Sequence, residues 1–257
     1  MKENKVLAQT PGHTVYAGPK ESEVYHYFTD LFRCPVTAKE WEIPGKGVIN
    51  HRLSAFCFSR LEYLGIATHF IRTVNMRQSL MYATASLPFD VEIHFGVTSA
   101  LVGLFELPEG HVFERPVINY FHTASGKELN ESYLISLDYL HSDEWEDFQT
   151  LIYRATDILK GVFIGHGLQL MKMTLSLGKS ETGFSAASFF LSGKLCPESF
   201  CVLDLETKTL LGAEYISNSD LPCDQHYQRV ASRMGIVLEG PMRSHVLNFK
   251  KKQDSLG

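Results

Sequence analysis

From Gln169 the chain alternates with period two. Gln169, Met171, Met173, Leu175 and Leu177 point one way, and Leu170, Lys172, Thr174 and Ser176 the other. That spacing predicts a half-buried strand over Leu168–Gly178 with one face on a core. Its other face lines up an ammonium and two hydroxyls, which suits a cleft floor and equally a solvated sheet face. The run before it has helical period. Trp145, Phe148, Leu151, Ile152, Ala155, Ile158, Leu159, Val162 and Phe163 recur at spacings of three and four. They predict a long amphipathic helix, N-capped by Ser142 with Asp143 and Glu144 at the positive end of its dipole, ending at Gly165 or Gly167. A second stripe, Ile49, Leu53, Phe56, Cys57, Leu61 and Leu64, predicts a helix over Val48–Leu64 stopped by Gly65.

Between and after these helices the pattern is mostly strand-like. Ala67–Val74, Ser79–Ala85, Phe89–Phe95, Val117–Phe121, Phe184–Ser192 and Cys201–Leu205 are rich in β-branched and aromatic residues. Ser99–Phe105 reads as a short helix, Asn130-Glu131-Ser132 as a helix start, and His226–Met234 as a last helix closed by Gly235. Residues 1–45 yield only fragments, Thr14–Tyr16 and Val24–Phe28, between Gly and Pro breaks. Strands that meander, then helices, then more strands imply an α+β fold with a mostly antiparallel sheet.

Composition narrows the function. A net charge of −5 over 257 residues, with one basic run at Lys250–Lys252, leaves no nucleic-acid footprint. No stretch is apolar enough to span a membrane, and no apolar leader opens the chain. Five cysteines without a CxxC pair point away from a disulfide framework or structural zinc and towards a reducing, cytoplasmic setting. HExxH, P-loop and GxSxG patterns are missing from the sequence. His51 and His69 read as packed histidines, and Cys196, next in line to Lys194, as a buried filler or a reactive thiol. His69, Phe121 and His122 are candidates for an exposed interface.

Four segments, PGKGVINHRLS (Pro44–Ser54), GIATHFI (Gly65–Ile71), LPFDVEI (Leu87–Ile93) and LNESY (Leu129–Tyr133), stand in the order and spacing of one family. With the long helix running into LQLMKMTLSLG, the chain resembles SAICAR synthetase, the phosphoribosylaminoimidazole-succinocarboxamide synthase of purine biosynthesis, over roughly Val15–Ile236. The resemblance implies a two-part, ATP-grasp-like architecture, which we divide at 1–85 and 86–257, with Mg·ATP in the cleft between the parts. It also implies a reaction joining aspartate to a carboxyaminoimidazole ribonucleotide through an acyl phosphate.

Scaffold positions match the family; chemical positions do not. The family's Gly-Lys-x-Lys nucleotide loop falls on Thr10, Pro11, Gly12 and His13, without either lysine. Its substrate-binding Arg and Gly-Ser fall on His94 and on Ser99-Ala100. Its Asp-x-Lys-x-Glu strand falls on Lys172, Thr174 and Ser176, and its metal-binding Asp-Glu on Gly193-Lys194, followed by Cys196-Pro197-Glu198. A phosphate-gripping Arg falls on Cys201. An ammonium cannot ligate a cation, and at a few ångströms repels one by about 4 kcal/mol at intermediate dielectric.

Family-type ligase activity is therefore expected to be lost, and with it any cofactor. The first expectation is a cleft repurposed for an anionic small molecule, bound by His13, Lys46, His94, Ser99, Lys172, Thr174, Ser176, Lys194 and Glu198. Within it, His94 or a desolvated, nucleophilic Lys172 are the catalytic candidates, and His13 and His94 the pH-sensitive groups. The bland counterpart pairs Lys172 with Glu198 or another acid across an abandoned cleft. The second expectation is a non-catalytic partner or regulator, with an oligomer left open. The third is a working synthase, with Mg·ATP as cofactor, Lys46 on a phosphate and new metal ligands drawn from Asp90, Glu92 and Glu131.

Overall fold

The computed structural model describes residues 5–104, 106–179, 188–217 and 221–236. The start of the Phe184–Ser192 strand and the Lys250–Lys252 run lie outside the described residues. The fold is α+β, and every pair of named strands is antiparallel.

The N-terminal region is more regular than its broken pattern suggests. Strands β1 (Val6–Thr10), β2 (His13–Ala17) and β3 (Glu23–Phe28) lead to the small hairpin β4 (Leu31–Arg33) and β5 (Glu40–Glu42), then to helix α1 (Lys46–Tyr63). With β6 (Phe70–Asn75) and β7 (Gln78–Tyr82) they form a five-stranded sheet ordered β1-β2-β3-β7-β6. The second sheet takes β8 (Ala85–Gly96), β9 (Val112–His122), β10 (Glu128–Leu129), β11 (Leu168–Lys179), β12 (Phe190–Ser192), β13 (Phe200–Asp204) and β14 (Leu210–Leu211). Its order is β10-β9-β8-β11-β13-β14, with β12 also paired to β11. The short α2 (Glu131–Ser136) starts on Asn130, whose side chain accepts from the Tyr133 N–H as the sequence leads one to expect of an N-cap. Helices α3 (Trp145–Gly165) and α4 (Cys223–Arg233) are the remaining helices among the described residues.

Periodicity places α3 and β11 correctly because both signals are local. Phe148, Ile152, Ala155, Leu159 and Phe163 are buried, with Phe148 at 5.8 Å from Phe89 and Phe163 at 4.9 Å from Phe200, ring to ring. Three details differ. Ser142 does not cap α3; Ser142–Glu144 is a separate 3-10 turn in which Glu144 accepts from the His141 N–H at 3.0 Å. Ser99–Leu104 forms turns rather than a helix. A register shift between Leu170 and Lys172 breaks the strict alternation of β11, so Leu168 and Leu170 are buried before it, and Met173, Leu175 and Leu177 after it.

Helix α1 begins on a glycine at φ 83°, and no side chain of its own first turn caps it. Asp30 does so from outside: its carboxylate accepts from the N–H groups of Gly45 (3.2 Å) and Gly47 (2.9 Å), and from Arg77 at 2.7 and 3.0 Å. A Cβ on Gly47 would stand 2.3 Å from Arg77 Nη1 and 2.7 Å from the Phe28 carbonyl. Gly47→Ala is therefore expected to destabilise by about 1–3 kcal/mol in urea unfolding. Gly161→Ala, on the exposed side of α3 with no atom within 4 Å of the new Cβ, should stabilise by about 0.5–1 kcal/mol. Equal midpoints for the two variants would refute this account of α1.

Candidate functional site

Strand pairing converts the alternation of β11 into rows across the second sheet. Lys172 lies between Cys201 and His94, Thr174 beside Glu92, which faces Asn119, and Ser176 between Ser192 and Asp90. Three central strands thus share one polar face, while α3 and its aromatic side chains cover the opposite face. The polar face is the cleft floor that the period-two run allows.

Each charge on this face meets a specific partner. Lys172 Nζ is 2.6 Å from Glu214 and 3.9 Å from Glu92, and Glu92 is 2.9 Å from His94 Nε2. Burial works against the Lys172 charge, but Glu214 and then Glu92 outweigh it and hold its pKa above the ordinary lysine value. Lys172 is thus paired with an acid, Glu214, as one expectation had it, and its raised pKa keeps it a cation, against the expectation of a desolvated nucleophile. Ser176 donates to Asp90 at 2.7 Å, and burial raises the Asp90 pKa despite that bond. Cys201 and Cys196 are buried thiols, the second pushed up to about 11, so Cys196 is not the reactive thiolate that a neighbouring lysine suggests.

Glu198 forms the second centre. Its Oε1 accepts from Lys46 (2.6 Å) and Asn50 (3.0 Å), its Oε2 from Lys194 (2.6 Å), and Tyr227 approaches at 3.4 Å. Burial opposes this carboxylate's charge, but the two ammonium groups win and hold its pKa at about 2. Lys46 is fully buried beneath Gly12, where an added Cβ would lie 2.6 Å from Nζ. Its ammonium is engaged by Glu198 at 2.6 Å.

A cavity of about 610 Å³ opens between the sheets, with His13, His26 and His69 on one side and Asp90, Ser176 and Ser192 on the other. His13 and His26 stand 4.8 Å apart, and His26 and His69 5.1 Å, ring to ring. Burial lowers all three pKa values, His13 to about 2 with help from His26 and Lys194, and His26 to about 4. His13 is thus a neutral wall near pH 7, not the pH-sensitive donor expected, and His69 is buried, which removes it from any exposed interface. Glu131 sits exposed at the start of α2, away from these centres.

Sequence reading missed Asn50, Tyr227 and Glu214. Asn50 lies inside the PGKGVINHRLS segment and could have been found there. Glu214 carries no such signal, since a 3-10 turn, Ala213–Tyr215, delivers it from a separate part of the chain.

Magnesium, which the family resemblance implies, does not fit these residues. Lys172 and Lys194 each neutralise a glutamate, Glu214 and Glu198, that could otherwise face a cation. Among the described residues, no three His, Cys, Asp or Glu side chains are grouped to hold a metal.

Comparison with known proteins places the chain. The family model described as SAICAR synthetase matches residues 12–209. A phosphoribosylaminoimidazole-succinocarboxamide synthase of Sinorhizobium fredii is 27% identical over 242 residues, covering 93% of this chain and 95% of its own. One from Jannaschia is 27% identical over 247 residues, 94% and 96% respectively. The crystal structure of the Ehrlichia chaffeensis synthase superposes with a TM-score of 0.84 at 23% identity, over 91% of this chain and all of that one. A SAICAR synthetase in complex with ADP gives 0.81 at 21%, over 90% and 97%. At these identities the two structures speak for the fold alone.

Proposed function

Because the chain belongs to the SAICAR synthetase family, we propose that it works in purine biosynthesis and that its relatives' synthase reaction is the activity to expect. The observation that carries this reading is the span of the agreement. Curated synthases align with 93–95% of the chain, which supports a shared scaffold along its whole length, on both sides of a division at residue 85. No step through a metal can be assigned to the residues at 172, 176, 193 and 194. A working synthase would have to draw on other carboxylates, and Asp90 and Glu92 are the two that share the polar face. The test is turnover of carboxyaminoimidazole ribonucleotide with aspartate, ATP and magnesium. Product that disappears in Asp90→Asn supports the reading; no product at high enzyme concentration sinks it.

One specific observation favours a second reading. Two lysines converge on Glu198 at 2.6 Å each, and a third lies on Glu214 at the same distance. Under this reading the ligase step is lost, and the cleft takes a small carboxylate or phosphate directly on its ammonium groups. Two ammoniums around one carboxylate leave a net positive charge at the Glu198 centre, which attracts an anion in a partly desolvated site. Thermal shift should then respond to inorganic phosphate or small carboxylates and not to magnesium. Stabilisation that requires both ATP and magnesium would return the assignment to the synthase. No response to any small molecule would leave the family scaffold serving a protein partner.

A further inference from the structure

The turn after β14 reaches across the polar face and fills part of it with the chain's own side chains. It is pinned at its start: the Ala213 N–H donates to the Pro197 carbonyl at 2.8 Å. Gly212 lies so close to β13 that a Cβ there would come within 3.0 Å of the Phe200 carbonyl and 3.3 Å of Cys201 Cα. From this anchor Glu214 lands on Lys172 at 2.6 Å. Its neighbour Tyr215 accepts the Ser99 N–H at 3.0 Å and donates to Glu109 at 3.0 Å.

The cluster so formed is not saturated. Glu214 Oε1 and His94 Nδ1 are both buried without a nitrogen or oxygen partner, and besides Lys172 the weakly donating Cys201 thiol also interacts with the Glu214 carboxylate. Buried polar atoms rarely stay unpaired, because each forfeits its hydration for nothing. One carboxylate oxygen on an ammonium at 2.6 Å, with the other left without a hydrogen-bonding nitrogen or oxygen, is the arrangement of a bound acid only partly matched to its site. Here that acid is tethered to the backbone.

We propose that Lys172, His94 and the Ser99 N–H form a subsite for a small carboxylate, and that Glu214 and Tyr215 occupy it as an internal ligand. An external acid then binds only by displacing the turn. The proposal rests on the second reading, anion binding without metal, and adds the location, the ligand class and the resident competitor. Tethering makes the competition severe, since a side chain held in place acts at a local concentration of millimolar or more. Deleting the Glu214 carboxylate should expose the site while Glu92, 3.9 Å from Lys172, still offsets part of the lysine's charge.

The experiment is thermal unfolding of wild type, Glu214→Ala and Glu214→Ala/Lys172→Met, with sodium propionate as probe and sodium chloride as ionic-strength control. Propionate is expected to stabilise Glu214→Ala with an apparent affinity about tenfold or more above that for wild type, and the double variant should not respond. Should Glu214→Ala fail to fold, Glu214→Gln replaces it, and propionate must still affect it more than wild type. Equal responses in wild type and variant, or a response that survives Lys172→Met, overturn the subsite. If propionate stabilises wild type and Glu214→Ala alike, and Lys194→Met removes the effect, the anion reading stands and only this subsite is lost.

Discussion

Glu198→Gln is expected to unfold the protein or bring it close to unfolding at 25 °C. The substitution keeps the shape and one acceptor but removes the negative charge that the two ammonium groups share. Lys46 is completely buried, so it has no water to fall back on. Breaking a buried pair by deleting one partner costs about 3–5 kcal/mol, and a domain of this kind has about 5–15 in total. Lys194→Met should cost far less, because Lys194 is a quarter exposed and the Lys46–Glu198 pair survives its removal. Adding Lys46→Met to Glu198→Gln should recover part of the loss, since the stranded charge goes with it. Urea midpoints of the four proteins decide the matter. If Glu198→Gln unfolds at the wild-type midpoint, the carboxylate does not hold these lysines.

Mild acid should be nearly as damaging, before the Glu198 carboxylate titrates. His26, His51 and His226 are each held at about 4, and His13 at about 2, chiefly by burial. An imidazole that titrates near 6.5 once unfolded but near 4 in the fold makes the unfolded chain the better proton acceptor. Its stabilising contribution is complete above about pH 6.5 and is lost as the pH falls towards 4. At pH 5 each such residue costs on the order of 2 kcal/mol, and the contributions of His13 and His26, whose rings are 4.8 Å apart, are not independent. The Glu198 carboxylate, held at about 2, gives way only in a later phase below about pH 4.5. The melting temperature should therefore fall steeply between about pH 6.5 and 5, and His226→Phe should flatten that slope. A melting temperature that stays level through this range would show that these imidazoles accept protons in the fold.

Much of this molecule was legible from local pattern. Helix α3 and strand β11 are read from periods of 3.6 and 2 because each buries its own repeating stripe, whatever the chain does elsewhere. The four matching segments likewise identified the family, since residues that pack a scaffold keep their spacing. The same reading misjudged Ser142, Ser99–Phe105 and residues 1–45, where turns and short strands depend on partners rather than on a repeat of their own. The β11 register shift was overlooked, although the adjacent apolar Leu170 and Met171, where the buried phase switches, marked it in the sequence.

What the sequence determined by itself was the set of charges and the faces that carry them. Only the tertiary structure decided which charges meet. Lys46 and Glu198 are 152 residues apart, and Lys172 and Glu214 are 42 apart. No periodicity spans such separations, because ion pairing responds to distance in space. Folding also decided that His13 and His26 are neutral walls, since an imidazole's charge near pH 7 depends on how much water its neighbours leave it.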